Sequence, residues 1–78
     1  MACIWGCQAS VTLEKPMDVP GYPQSTEIIV NVKVRTESGR DPSDLSIIEA
    51  TKKLMKDCYP VKVLSVQQPA VNFLLHIL

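Results

Sequence analysis

The sequence is short of net charge, aromatic rings and glycine. Its eight basic and eight acidic side chains cancel. A nucleic-acid binder ordinarily carries a basic excess that releases counterions, so that class is not expected. Neutrality argues equally against an acidic mimic of nucleic acid. Aromatic rings are 5% of the chain, namely Trp5, Tyr22, Tyr59 and Phe73, which leaves little platform for stacking bases. The three glycines, Gly6, Gly21 and Gly39, are scattered, so no phosphate-cradling loop or dinucleotide fingerprint is present. No apolar run reaches about 18 residues, which excludes a membrane-spanning helix from the expectation.

Other absences bear on chemistry and compartment. No basic stretch followed by an apolar one opens the chain, so no signal peptide is expected. Three cysteines is an odd number, which favours free thiols in a reducing compartment and hence a cytoplasmic protein. The lone His76 is flanked by Leu75 and Ile77, with no nucleophile and orienting acid beside it. Pairing it with Cys58 as nucleophile finds no support in the spacing. Asp41 and Asp44 look like helix-start carboxylates rather than an acid–base pair. Neither enzyme activity nor a cofactor is expected.

What is present is hydrophobic patterning. Apolar residues are 46% of 78, too many for a disordered chain. Residues 1 to 13 alternate, with Met1, Cys3, Trp5, Cys7, Ala9, Val11 and Leu13 at odd positions. That period predicts a strand over about 3–14. Three prolines, Pro16, Pro20 and Pro23, then make 15–25 a loop. Ile28, Val30, Val32 and Val34 alternate with Ile29, Asn31, Lys33 and Arg35, which predicts a half-buried strand over about 26–36.

A helix is expected over about 42–58. Asp41 is the expected cap and Pro42 the first helical residue. Ile47, Ile48, Thr51, Leu54, Met55 and Cys58 fall in one arc at 100° per residue. Glu49 and Lys53 are spaced for an ion pair. Pro60 ends the helix. Two further strands are expected, about 61–67 and 71–78, joined by a turn at Gln68-Pro69-Ala70. In the last of them Phe73, Leu75 and Ile77 face one side and Leu74, His76 and Leu78 the other, so both faces are apolar. Such a strand belongs inside a sheet or against a partner.

The expectation is therefore a single small α+β domain, ββαββ, with one helix on one face of a four-stranded, mostly antiparallel sheet of order 2-1-4-3. In size and element order this layout resembles the compact α+β inhibitors that phages encode against host defence enzymes, such as anti-CRISPR proteins. The resemblance covers the whole chain but includes no shared residue motif.

Three functions compete. Cys3, Cys7, Cys58 and His76 form a ligand set suited to structural zinc. Strand geometry opposes it, since Cys3 and Cys7 would lie about 13 Å apart at roughly 3.3 Å per residue. The alternation instead gives both thiols, with Trp5 and Cys58, to a buried face, with Trp5 against the helix. A weak nucleic-acid module could use Lys33 and Arg35 with the helix lysines, although the basic excess from Lys33 onward is only two. The favoured expectation is a non-enzymatic protein-binding module that occupies a partner protein's surface. Its expected contacts are Met17, Val19 and Tyr22 in the proline-rich loop and Asn31, Lys33 and Arg35 on the uncovered sheet face. The last strand predicts a homodimer or a sheet completed by a partner.

Overall fold

The structure is a computed structural model that describes residues 1–21 and 24–78. Its elements are β1 (Cys3–Leu13), β2 (Glu27–Thr36), α1 (Asp44–Cys58) and β3 (Val63–Ile77). Both β2 and β3 pair antiparallel with β1, in the order β2-β1-β3. The class is α+β, but the sheet has three strands rather than four. The expected order 2-1-4-3 and the ββαββ layout are both corrected.

The correction lies at Gln68 and Pro69. A proline lacks a donor N–H and was expected to turn the chain, yet β3 runs through it. It can do so because β3 is an edge strand, where a missing donor costs no ladder bond. Gln68 adopts φ +52, the left-handed region that suits an inserted residue. The chain therefore bulges instead of reversing.

Alternation decides the faces of β1. Its odd positions Cys3, Cys7, Ala9, Val11 and Leu13 are buried, and Trp5 is half-buried against the same core. The indole Nε1 of Trp5 donates to Thr36 Oγ1 at 3.0 Å, which fixes the ring toward β2. Facing β1 across an unbroken register, Ile28, Val30, Val32 and Val34 point to the same side.

β3 does not keep that register. It uses 15 residues to follow the 11 of β1, with four register shifts. Residues directly opposite one another share a face, so Cys7, Trp5 and Cys3 place Val71, Leu74 and Ile77 on the core side. The spacing there is three, not two. This corrects the expected partition, in which Ile77 and Leu74 lay on opposite faces. The bulges gather apolar residues that strict alternation would have divided.

Helix α1 covers the core side. Ser43, not Asp41, is its N-cap, and Ser43 Oγ accepts from the Ser46 N–H at 3.2 Å. Asp44 adds negative charge at the positive end of the helix dipole. Pro42 is buried just outside the first turn. Ile47, Thr51 and Met55 form the buried stripe. Thr51 Oγ1 donates to the Ile47 carbonyl at 2.7 Å, so the one buried polar side chain among the described residues is satisfied. Cys58, expected on this stripe, is exposed at the helix end. The expected Glu49–Lys53 pair does not form within 4 Å. Among the described residues the side-chain ion pair is Arg35 with Glu37, at 2.7 Å.

Candidate functional site

The helix leaves the opposite sheet face open. By register, Gly6 stands between Lys33 of β2 and Phe73 of β3. A Cβ on Gly6 would lie 3.0 Å from Phe73 Cε2 and Cζ, so the ring rests over the bare glycine backbone. An aromatic side chain laid across a strand glycine covers the gap that the missing side chain leaves. Phe73 nevertheless stays 57% exposed. Beside it a shallow groove of about 350 Å³ is lined by residues including Gly6, Asn31, Lys33, Asn72, Phe73 and Leu75. Asn72 Nδ2 donates to Gln8 Oε1 at 3.2 Å and ties the bulged β3 residue to the central strand.

The rim is polar and weakly basic. Asn31, Lys33 and Arg35 occupy alternate, exposed positions of β2 on this face. Arg35 Nε donates to Glu37 Oε1, so Lys33 is the cation at the groove that holds no carboxylate. Farther along, Gln8, Ser10 and Thr12 are half-buried and Gln67 is exposed. The result is an exposed ring and a leucine bordered by amides and a charge. That arrangement matches the apolar centre and polar rim of protein interfaces.

The loop expectation fares differently. Met17 is 1% exposed and belongs to the hydrophobic core, so it cannot serve as a surface contact. Its thioether fills the gap between the sheet and the helix end, the adaptable packing for which methionine is suited. Val19 is half-buried against the same core. Tyr22 lies outside the described residues. Phe73, Leu75 and Asn72 were missed as contacts. Their signal was the doubly apolar last strand, but only the register shows that Phe73 covers Gly6.

The cysteines are free: Cys3 and Cys7 are buried, Cys58 exposed. Burial pushes the Cys7 thiol above its ordinary pKa, and the charge of Asp41 adds to the shift. Such a thiol stays protonated and is a poor nucleophile. Among the described residues no three His, Cys, Asp or Glu side chains group to hold a metal. Cys3, Cys7, Cys58 and His76 are thus not brought together. Cys3 and Cys7 sit four positions apart on β1, Cys58 at the far end of α1 and His76 on the open face.

The basic residues are divided in part. Lys52, Lys53 and Lys56 are exposed on the helix, which covers the other side of the sheet. Lys33 and Lys53 share a shallow depression at the β2 edge, with Asp57 beside them. A carboxylate in that position offsets the local positive potential. No helix among the described residues is long and apolar enough to cross a membrane. No family model matches the chain, and neither a curated protein nor a solved structure matches it.

Proposed function

We propose that the protein is a non-enzymatic binding module that occupies the surface of a partner protein through its open sheet face. The observation that carries this reading is Phe73, held over Gly6 yet largely exposed, beside Leu75 and within the polar rim of Asn31, Lys33 and Arg35. A ring already fixed in place loses little conformational freedom on binding, which is why aromatic anchors dominate interface energetics. Action is steric, as an inhibitor or an adaptor. The inhibitor form rests on small size and α+β class alone, since the ββαββ order that carried the resemblance to phage-encoded inhibitors is not the order of this fold.

The test is cross-linked capture from the native host, with three baits. Wild type is expected to retain one specific protein. Phe73→Ala combined with Lys33→Glu is expected to lose it, since both residues are exposed and neither supports the core. Glu49→Lys, on the outer side of the helix, is expected to keep it. Equal capture by all three baits, or none by wild type, counts against the open face as the binding surface. Salt-sensitive retention of single-stranded RNA in place of a protein would move the reading to nucleic acid.

A further inference from the structure

The second surface is the outer edge of β3, which adjoins the open-face groove and shares Phe73 and Leu75 with it. Phe73, Leu74, Leu75, Ile77 and Leu78 are all 42–57% exposed. Leu74 and Ile77 point to the helix side, so α1 does not cover this end of the sheet. The inner edge pairs with β1 between its bulges, and even Leu78 donates its N–H to the Ala2 carbonyl at 2.9 Å. The outer edge has no neighbour in the three-stranded sheet. No Asp, Glu, Lys or Arg occurs anywhere from Val63 to Leu78. Edge strands are ordinarily guarded by such charges, and an unguarded apolar edge invites another strand.

We infer that a second copy of this chain covers residues 70–78, giving a two-fold dimer joined along the β3 edges. Three observations select a second copy. The arm has no charged residue, so two arms meet without like-charge repulsion, and the net charge of zero adds no long-range repulsion between copies. The area is sufficient: at roughly 200 Å² for a fully exposed large apolar residue, five such side chains present about 500 Å² per copy. Two arms together then present about 1,000 Å², which reaches the threshold of a specific interface when the partner arm covers both faces. Finally, left-handed Gln68 and the donor-less Pro69 interrupt the edge, which confines the contact to the C-terminal arm. A contact between identical segments closes on itself and does not grow into a fibre.

The dimer would place both helices on one side and both open faces on the other, in one extended sheet. Phe73 and Leu75 belong to both surfaces, so the two inferences are separated by readout: the mass of the isolated wild-type chain reads the dimer alone, and capture with Lys33→Glu alone, a change outside β3, reads the open face alone. The test is sedimentation velocity of the full chain across a concentration series. Wild type is expected at the mass of two chains rather than of one 8.6 kDa chain. Leu75→Lys with Leu78→Lys is expected at the mass of one chain with an unchanged circular dichroism spectrum, because both side chains are exposed. Ile29→Lys, an exposed apolar residue on the other edge strand, is expected to leave the dimer intact. Wild type at the mass of one chain up to about 100 μM, a concentration ample for a micromolar dimer, overturns the inference. So does a dimer that survives the double substitution or dissociates with Ile29→Lys, and so does a ladder of larger species.

Discussion

The two edges of this sheet solve the same problem in opposite ways. β2 and β3 flank the same central strand, both antiparallel to it. β2 keeps an unbroken register and carries Glu27, Lys33 and Arg35 on its outward positions. Those charges make it a poor template for a further strand. β3 carries none, and slips register four times against β1. Its bulges, two of which fall at Asn72 and Leu75, and Pro69 are the device left to it for disrupting edge pairing, and no charge reinforces them. A regular strand can be guarded by charge because alternation sends every second side chain to solvent. A bulged strand with period three on its core side has no such reserved positions.

Removing the guard from β2 is the largest perturbation of this contrast. Lys33→Val with Arg35→Val gives β2 an apolar outward face beside Ile29. The expected outcome is concentration-dependent association into species larger than a dimer, seen by light scattering, since both edges then attract strands. A soluble variant with unchanged mass would show that charge is not what protects this edge.

Core depth differs between the edges by a smaller amount. Val32 is 9% exposed and Leu74 42%. Val32→Ala is expected to cost about 2 kcal/mol in urea unfolding, from the lost methyl burial and the cavity left behind. Leu74→Ala, measured in the Leu75→Lys background to separate folding from association, is expected to cost less than about 1 kcal/mol despite removing more atoms. Equal costs would mean that the helix end covers both edges alike.

A glycine scan reverses sign between the edges. At Gln68, φ +52 strains any residue with a Cβ, so Gln68→Gly is expected to stabilise by up to about 1 kcal/mol. Asn31 lies in regular β2, and Asn31→Gly is expected to destabilise by about 0.5–1 kcal/mol through lost backbone order. Denaturant midpoints at equal slope read both. A destabilised Gln68→Gly would show that the glutamine side chain, rather than the bulge, holds β3 in place.

The smallest effect comes from the strand between the edges. Cys7 pairs with Val32 on one side and Val71 on the other. Its folded pKa is raised, so the fold favours the protonated thiol. That preference costs nothing at neutral pH. As pH rises past the ordinary value of 9.0, the unfolded chain gains by ionising Cys7 while the folded chain does not, and stability falls. Cys7→Ala is expected to flatten this alkaline decline relative to wild type. Thiol labelling gives a finer reading: Cys58 reacts at once, Cys3 at the start of β1 on local fraying, and Cys7 only on deeper opening.

Much of the fold was legible where local periodicity matched the final geometry. The expected strands at 3–14 and 26–36 agree with Cys3–Leu13 and Glu27–Thr36, and the helix at 42–58 with Asp44–Cys58. The failures share a cause. Pro69 reads as a turn because its chemistry is ambiguous until the neighbouring strand is known. Met17 looked like a surface residue because a proline-rich loop says nothing about what it folds against. Cys58 falls in the apolar arc, but the last helical residue is exposed while Met55 and Tyr59 beside it pack on the core. Of the candidate site, Asn31, Lys33 and Arg35 were readable as one face of a strand. Phe73 over Gly6 was not, because 67 residues separate them and four register shifts connect their strands.

By itself, the sequence determined the class of each regular element and which face of β1 and β2 is buried. Those properties follow from side-chain spacing within one segment, where period two or 3.6 admits one solution. It also determined the neutrality and the uncharged C-terminal arm. The tertiary structure alone decided that the last two apolar runs form one strand at an edge, and that Val71, Leu74 and Ile77 share a side. It alone set Phe73 against Gly6. Those facts depend on which residue of β1 stands opposite which residue of β3. A bulge changes that pairing without any local signature that distinguishes it from a turn.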